Sequence, residues 1–266
     1  MPGKVAFSPR VILARVSRAK LLLARVPWAY VWASRGLGLL RFALRRPHEP
    51  DFAAFALFAD RPGIFLDVGA NVGQSALSFR AVNRIAPILS IEANPQLARD
   101  LRFVQRFVRG FDFKICAASD ARGVQTLHVP LYRGLPITGE ASLDEAMTRD
   151  LYWTRQQHIA DDTDTVRTRA VEVHSIPLDD LELSPAFIKL DVQGFELPAL
   201  KGLAGTLAAH QPVLLVERTA IADVTQYLAA IGYRPYVYLP SEHRLAPDDG
   251  RDSLNLFFVH ADTGVR

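Results

Sequence analysis

The chain has 266 residues, 49% hydrophobic and 22% charged, the balance of a globular protein large enough for one domain with an appendage or for two small domains. Its single cysteine, Cys116, excludes an intrachain disulfide framework and a multi-cysteine metal site. The net charge of +3 is local. Ten of the 31 basic residues and none of the 28 acidic ones fall in residues 1–46, which leaves the other 220 at −7 and gives no support to a basic nucleic-acid-binding fold.

Residues 1–46 mix Leu, Val and Trp with arginines. Arg15, Arg18, Lys20 and Arg25, then Arg35 and Arg41, interrupt every apolar run before the ~18 to 20 residues that span a bilayer. Positive charges continue through the apolar stretch, unlike a cleavable signal peptide. The expectation is a basic helical extension packed on the main domain, in a cytoplasmic protein. Peripheral membrane contact, or docking on another macromolecule, is the alternative.

Pro47 to Pro50 marks a break, and residues 47–266 are expected to form the main domain. Asp51 to Asp60 has a short helical pattern. Ile64 to Val68 reads as a strand, Gly69 to Gly73 as a turn, and the spacing from Gln74 as a helix. Ile88 to Ile91 is a second strand. Pro95 opens a helix through about Val108, and Phe113 to Ala118 is a third strand, with Cys116 as a core residue. The middle is less regular. Val124 to Val129 and Val171 to Ile176 alternate as strands. Between them lie a turn near Gly134, a helix over Leu143 to Gln157 and a charged loop over Asp161 to Arg169, together a variable insertion around 130–170.

The strand and helix rhythm then returns. Phe187 to Leu190 is a strand, Glu196 to Ala208 a helix, and Val213 to Val216 a strand ending at Glu217. Ile221 to Ile231 is a helix stopped by Gly232. Arg234 to Leu239 and Asn255 to Val259 are two final strands that pair as an antiparallel edge. Short apolar strands alternating with helices predict an α/β fold, a doubly wound, mostly parallel Rossmann-like sheet.

The strongest local motif is Phe65-Leu-Asp-Val-Gly-Ala-Asn-Val-Gly73, placed where the first strand meets the first helix. Gly69 and Gly73 admit close backbone approach. Their spacing is neither the dinucleotide GxGxxG nor a P-loop. Glu92 ends the next strand, where a carboxylate accepts hydrogen bonds from a ribose diol. Asp67 and Glu92 at consecutive strand ends suggest an adenosine-bearing cofactor.

Phe65 to Gly73 resembles motif I of class I methyltransferases, and Ile91-Glu-Ala-Asn-Pro95 resembles their acidic second-strand signature. Ile188-Lys-Leu-Asp-Val-Gln-Gly-Phe-Glu196 followed by Leu200-Lys-Gly202 is similar to the hallmark of the FkbM-type methyltransferases. His174 to Leu181, Leu215-Val-Glu217, Gly232-Tyr233 and Asn255-Leu-Phe257 resemble the flanking pattern. The likeness covers about residues 62–259. It departs at Ile176-Pro-Leu-Asp, where the family commonly has Thr-Leu-Asp, and in a long stretch from Leu131 to Arg169.

The resemblance implies an S-adenosylmethionine-dependent O-methyltransferase acting on a glycan, sugar or small biosynthetic product. The alternatives are transfer to nitrogen or carbon, or a non-catalytic cofactor-binding domain that anchors a biosynthetic complex. Asp67, Gly69, Asn71, Gly73 and Glu92 are then the cofactor-binding candidates. Asp191 and Glu217 end the fourth and fifth strands, where ligands meet an open α/β sheet. Asp191 is the first candidate to orient or deprotonate the acceptor hydroxyl, Glu217 the second, and Gln193 a group that orients a polar substrate. Lys189 is expected to face away from Asp191, and Glu196 to cap the following helix. The histidines show no metal-ligand spacing and Asp179-Asp180 reads as a turn, so no metal ligand is assigned.

Overall fold

The structure, a computed structural model, describes residues 36, 38, 40–132, 135–148, 167–218 and 221–264. Most of the expected basic extension, the helix over Leu143 to Gln157 beyond residue 148, and the charged loop up to residue 166 lie outside these. What is described of the extension is helical through residue 43.

Five strands form the centre of the main sheet. They are β1 (Ile64–Val68), β2 (Ile88–Glu92), β3 (Phe111–Ile115), β8 (Pro185–Leu190) and β9 (Val213–Glu217), all parallel. The sheet continues through β12 (Asn255–His260), β10 (Tyr233–Leu239) and β11 (Arg244–Pro247), giving the order β11-β10-β12-β9-β8-β1-β2-β3. The last strand of the chain is therefore inserted, antiparallel, between β9 and β10. The two final strands pair as expected, but the outermost strand is β11, a short hairpin partner of β10 that lies between them in the chain.

Alternate residues of these strands feed two cores. Phe65, Phe187, Leu215 and Phe257 point to one face, covered by α1 (Gln74–Val82), α2 (Ala98–Gln105) and a 3-10 segment, Pro50–Phe58. Leu66, Ile188, Leu214 and Phe258 point to the other, covered by α3 (Glu196–Lys201), α4 (Ala204–His210) and α5 (Ile221–Ala230). The sheet is doubly wound. Three residues per turn place Phe52, Phe55 and Phe58 of the 3-10 segment on one stripe, and all three are buried. Phe55 sits at the centre of an aromatic cluster, with ring centroids 5.4 to 5.8 Å from Phe52, Phe65, Phe79, Phe187 and Phe257. Phe65 and Phe79 stack at 4.0 Å.

A second, small sheet stands at the carboxyl edge of the first. It contains β4 (Ala117–Ala118), β5 (Gly123–Tyr132), β6 (Leu135–Pro136) and β7 (Arg167–Ile176). The pairing of β5 with β7 runs over nine residue pairs, so both strands are longer than the apolar alternation indicated. The expected third strand, Phe113 to Ala118, is divided between the sheets. β3 ends at Ile115, and after Cys116 the chain joins β7 as β4.

The expected helix from Glu196 to Ala208 is also divided. A Cβ on Gly202 would lie 1.9 Å from the Ser119 carbonyl oxygen, so the chain there is pressed against another backbone. Asp179 then accepts hydrogen bonds from the Gly205 and Thr206 amides and the Thr206 hydroxyl, which fixes a separate helix start.

Phe55→Ala empties the middle of the aromatic cluster. It is expected to lower unfolding free energy by about 3–5 kcal/mol, measured by urea denaturation of both proteins.

Candidate active site

The site is built on the loops that leave β1 and β8. After Val68 the chain turns at Gly69, whose φ of +86° is in the left-handed region. A Cβ there would lie 1.8 Å from the Asp191 carbonyl oxygen, so the two loops touch backbone to backbone. Asn71 and Gln193, at φ of +50° and +52°, hold left-handed conformations that non-glycine residues adopt at an energetic cost. Both line the same cleft.

That cleft is open to solvent and takes in about 610 Å³ with the solvent at its mouth. It is lined by Gly69, Asn71 and Glu92, with Ile91, Ala93 and Cys116 as apolar residues. Asp191 and Gln193 line it as well, and Thr138, Gly139, Ala141, Ser142 and Leu143 form a strap along it. Thr138 Oγ1 donates to Asn71 Oδ1 at 2.8 Å, and Ser142 Oγ donates to the Gln193 carbonyl at 2.6 Å. The strap thus joins the two loops. It was missed in the sequence because neither hydroxyl stands in a motif. Cys116 is buried, as expected, but at the cleft wall.

Glu92 is fixed by two backbone donors. The Asn71 amide donates to Oε2 at 2.7 Å and the Asn94 amide to Oε1 at 2.8 Å. Burial pushes its carboxyl up to about 7, against the pull of those two hydrogen bonds. Each oxygen keeps a second lone pair for a ligand donor.

Asp67 and Gly73 stand outside the cleft lining. Asp67 is fully buried beneath the loop, accepts from Ser90 Oγ at 2.9 Å and keeps Oδ1 without a hydrogen-bond partner. Burial raises its carboxyl, partly offset by the Lys189 charge and the Ser90 bond. Gly73 permits α1 to pack on α2, since a Cβ would lie 2.8 Å from Val104 Cγ2.

At the reactive end, Gln193 Nε2 donates to Asp191 Oδ1 at 2.7 Å and to Glu217 Oε2 at 2.6 Å. One amide therefore clamps two carboxyl groups. The remaining Gln193 oxygen is buried without a hydrogen-bond partner. Lys189 Nζ donates to Asp191 Oδ2 at 2.7 Å. This corrects the expectation that Lys189 turns away: residues two apart on a strand share a face. Burial raises the Asp191 carboxyl, but the Lys189 charge and hydrogen bonds with Glu217, Lys189 and Gln193 outweigh it and hold the group at about 2.

Glu196 serves as a brace for the loop. Its Oε1 accepts from the Val192 and Gly194 amides at 3.2 Å, and burial pushes its carboxyl up to about 7.

Residues just after the basic segment complete the surroundings. The His48 amide donates to Ser78 Oγ, and Asn255 Nδ2 donates to Glu49 and Asp51. Burial raises the Glu49 carboxyl, but His48 and the Lys189 charge lower it below its ordinary value. The proximity of this segment to the sheet end had no signal in the sequence, being a contact across more than 130 residues.

Among the described residues no cluster of His, Cys, Asp and Glu is arranged to hold a metal ion, and no helix is long and apolar enough to cross a membrane.

Solved structures similar to this one include the methyltransferase FkbM of Methylobacillus flagellatus, at 20% identity and TM-score 0.46. The match covers 74% of this chain and 43% of that one, so this chain spans less than half of that relative's length. A precorrin-6y C5,15-methyltransferase of Geobacter metallireducens matches at 12% identity and TM-score 0.41, over 78% of this chain and 85% of the other. A SAM-dependent O-methyltransferase of Thermotoga maritima matches at 12% and 0.38, over 81% and 65%. No curated protein matches the chain. The model of the methyltransferase FkbM domain matches residues 67–235, from the first strand's Asp67 to β10 and including both loops of the cleft. The chain belongs to the FkbM family of S-adenosylmethionine-dependent methyltransferases.

Proposed function

We propose that the protein transfers a methyl group to a hydroxyl of a glycan, sugar or small biosynthetic product. The observation that carries this reading is the pair Asp191 and Glu217, clamped by Gln193, with Asp191 and Gln193 lining the same cleft as Gly69 and Glu92.

The cleft fits an adenosine-bearing cofactor. Gly69 lets its loop pack directly on the Asp191 backbone, Glu92 presents a buried carboxyl with spare lone pairs for a ribose diol, and Ile91, Ala93 and Cys116 offer an apolar wall to a base. When bound, S-adenosylmethionine supplies an electrophilic methyl on a positively charged sulfur. The Asn71 and Asn94 amides hold the Glu92 carboxyl in place for it.

Asp191 has a defined task in this site. Its side chain is 26% exposed and its Oδ2 is turned toward Lys189, so the carboxylate is oriented and still reachable. It accepts the hydrogen bond of the acceptor hydroxyl and aims the oxygen lone pair at the methyl. Were the methyl–sulfur bond to break as the C–O bond forms, releasing the neutral thioether, the hydroxyl proton would become strongly acidic and the Asp191 carboxylate would take it up. A strong base is not required. This favours oxygen over nitrogen: an amine must lose its proton before it attacks, and a carboxyl lowered by the Lys189 charge removes it poorly. The test is incubation with tritiated S-adenosylmethionine and cell extract, followed by fragmentation mass spectrometry of the labelled product. A methyl ether is expected, and a methyl ester, N-methyl or C-methyl product overturns the reading.

Residues 1–46 are proposed to act outside catalysis, as a surface contact for anionic lipid, on the strength of ten positive charges without an acidic residue. Each suitably placed Lys or Arg contributes ~1 kcal/mol near such a surface. Flotation is expected to recover the full chain with anionic vesicles and not with neutral ones, and high salt is expected to release it. A chain starting at Pro47 keeps Glu49 and Asp51 and is expected to bind S-adenosylmethionine as the full chain does.

Glu92→Ala is expected to weaken S-adenosylmethionine binding by ~1.5 to 3 kcal/mol in calorimetry, the worth of charge-assisted hydrogen bonds. The pH dependence has a definite sign. The protonated carboxyl loses acceptor capacity, so affinity rises with pH up to about 7 and then levels. Glu92→Gln is expected to bind more weakly at pH 8 and without that rise.

Asp191→Asn is expected to slow the single-turnover methylation of the identified acceptor by ~100- to 10,000-fold. Its S-adenosylmethionine affinity is expected to stay within ~1 kcal/mol of the parent, because Glu92 and the Gly69 turn are intact.

A further inference from the structure

Lys189 is the element of the site that the reaction scheme leaves unused. It is 2% exposed, on a strand interior, and its ammonium is 2.7 Å from Asp191 Oδ2. In the β1–β8 register it stands directly beside Asp67, whose Oδ1 lacks a hydrogen-bond partner. An ion taken out of water at this depth is costly unless it is paired, and a lysine with a purely structural task is readily replaced by an apolar side chain of similar volume. Here it is held between carboxylates of three separate chain segments, Asp67 of β1, Asp191 of the β8 loop and Glu49 of the N-terminal segment.

We propose that Lys189 is a positioning residue for methyl transfer: from behind, its ammonium fixes the Asp191 carboxylate and keeps it anionic, so that the exposed side of that group is always ready for the acceptor hydroxyl. The inference rests on the hydroxyl methyltransferase reading above. Three geometric facts support it. Lys189 takes one oxygen of Asp191 and Gln193 takes the other, which leaves the carboxylate no freedom to rotate. The acidic groups whose charges act on Asp191 or on Lys189 are otherwise of one sign: Asp67 from β1, Glu49 from the N-terminal segment, Glu196 from α3 and Glu92 from β2, while Glu217 from β9 is a hydrogen-bond partner of Asp191. His48 is the remaining basic group, and it is bonded to Ser78 and Glu49. Without the ammonium, Asp191 faces this surplus of negative charge, and protonation relieves it. A protonated Asp191 has lost the acceptor that aims the substrate hydroxyl. Burial alone lowers the basicity of a lysine, but the Asp191, Asp67 and Glu49 charges outweigh it and raise it above the ordinary value, which favours the cation.

The test compares Lys189→Met, Lys189→Gln and Lys189→Arg with the full-length parent. One readout is the pH titration of the Asp191 carboxyl by NMR with 13C-labelled aspartate, its signal assigned by its absence in Asp191→Asn. The other is turnover of the hydroxyl acceptor identified with tritiated S-adenosylmethionine. In Lys189→Met and Lys189→Gln the Asp191 midpoint is expected to rise by more than one pH unit. The acid limb of the kcat profile is expected to move with it, and kcat to fall about 100-fold, the scale of a misplaced reacting group. S-adenosylmethionine Kd is expected to stay within about threefold, since Glu92 and the Gly69 turn are untouched. Lys189→Arg keeps the charge and is expected to recover most of kcat. Lys189→Gln keeps a donor toward Asp191 and serves if Lys189→Met does not fold. An unchanged Asp191 titration, or an unchanged kcat profile in a folded neutral variant, overturns the proposal while the functional reading stands. Failure of the parent to bind S-adenosylmethionine or to methylate any hydroxyl overturns that reading itself.

Discussion

The ion pair between Lys189 and Asp191 is the interaction on which the rest of the site depends. Burying a cation beside a carboxylate is favourable only when the pair is close and the remaining lone pairs and protons are satisfied. The 2.7 Å contact meets the first condition, and Gln193 helps to meet the second by binding the other Asp191 oxygen. The same amide reaches Glu217, so the ends of β8 and β9 are tied by side chains as well as by the sheet. Asp67, Ser90 and Lys189 share one face of three adjacent parallel strands, with Asp67 in register with both neighbours. The sheet's apolar core on that face thus gives way to a polar layer at its carboxyl end. The phenylalanines around Phe55 fill the space below that layer and fix its position.

This arrangement explains why unusual backbone is concentrated in the two loops. Gly69 contacts the Asp191 carbonyl through space that no side chain can share. Asn71 and Gln193 accept left-handed conformations on either side of that contact. The hydrogen bonds of Glu92 to Asn71, and of Ser142 to Gln193, hold each turn in place. Strain of this kind persists only where surrounding bonds over-determine it. Here the result is a cleft lined by two carboxyl groups, Glu92 and Asp191.

The small sheet has a different role. Its apolar residues Ala117, Leu127, Val129 and Val173 pack with Ala93, Ala141 and Leu143 beside the cleft. The strap 138–143 lines one side of the cleft, while the loops after the parallel strands build the other. The N-terminal residues His48 to Asp51 act from a third side, because Asn255 on β12 bonds both Glu49 and Asp51.

The amino-acid pattern alone determined the parallel core of the fold, the Gly69 turn and the strand-end positions of Glu92, Asp191 and Glu217. Strand periodicity and glycine spacing are local properties, and the carboxyl ends of parallel strands come together whatever the details of packing. Other features followed only from the tertiary structure. Gly202 looked like the interior of one long helix, but the close approach of Ser119 divides it. Phe113 to Ala118 read as one strand, but its last residues pair with β7, a partner about 60 residues away. Asp67 shared its motif with Gly69 and Asn71, yet the alternation of side chains sends its carboxyl into the buried layer beside Lys189 and away from the cleft. Thr138, Ser142, His48 and Glu49 belong to no motif, and their place around the cleft and the sheet end was decided by contacts between distant segments, which leave no periodic trace in the chain that makes them.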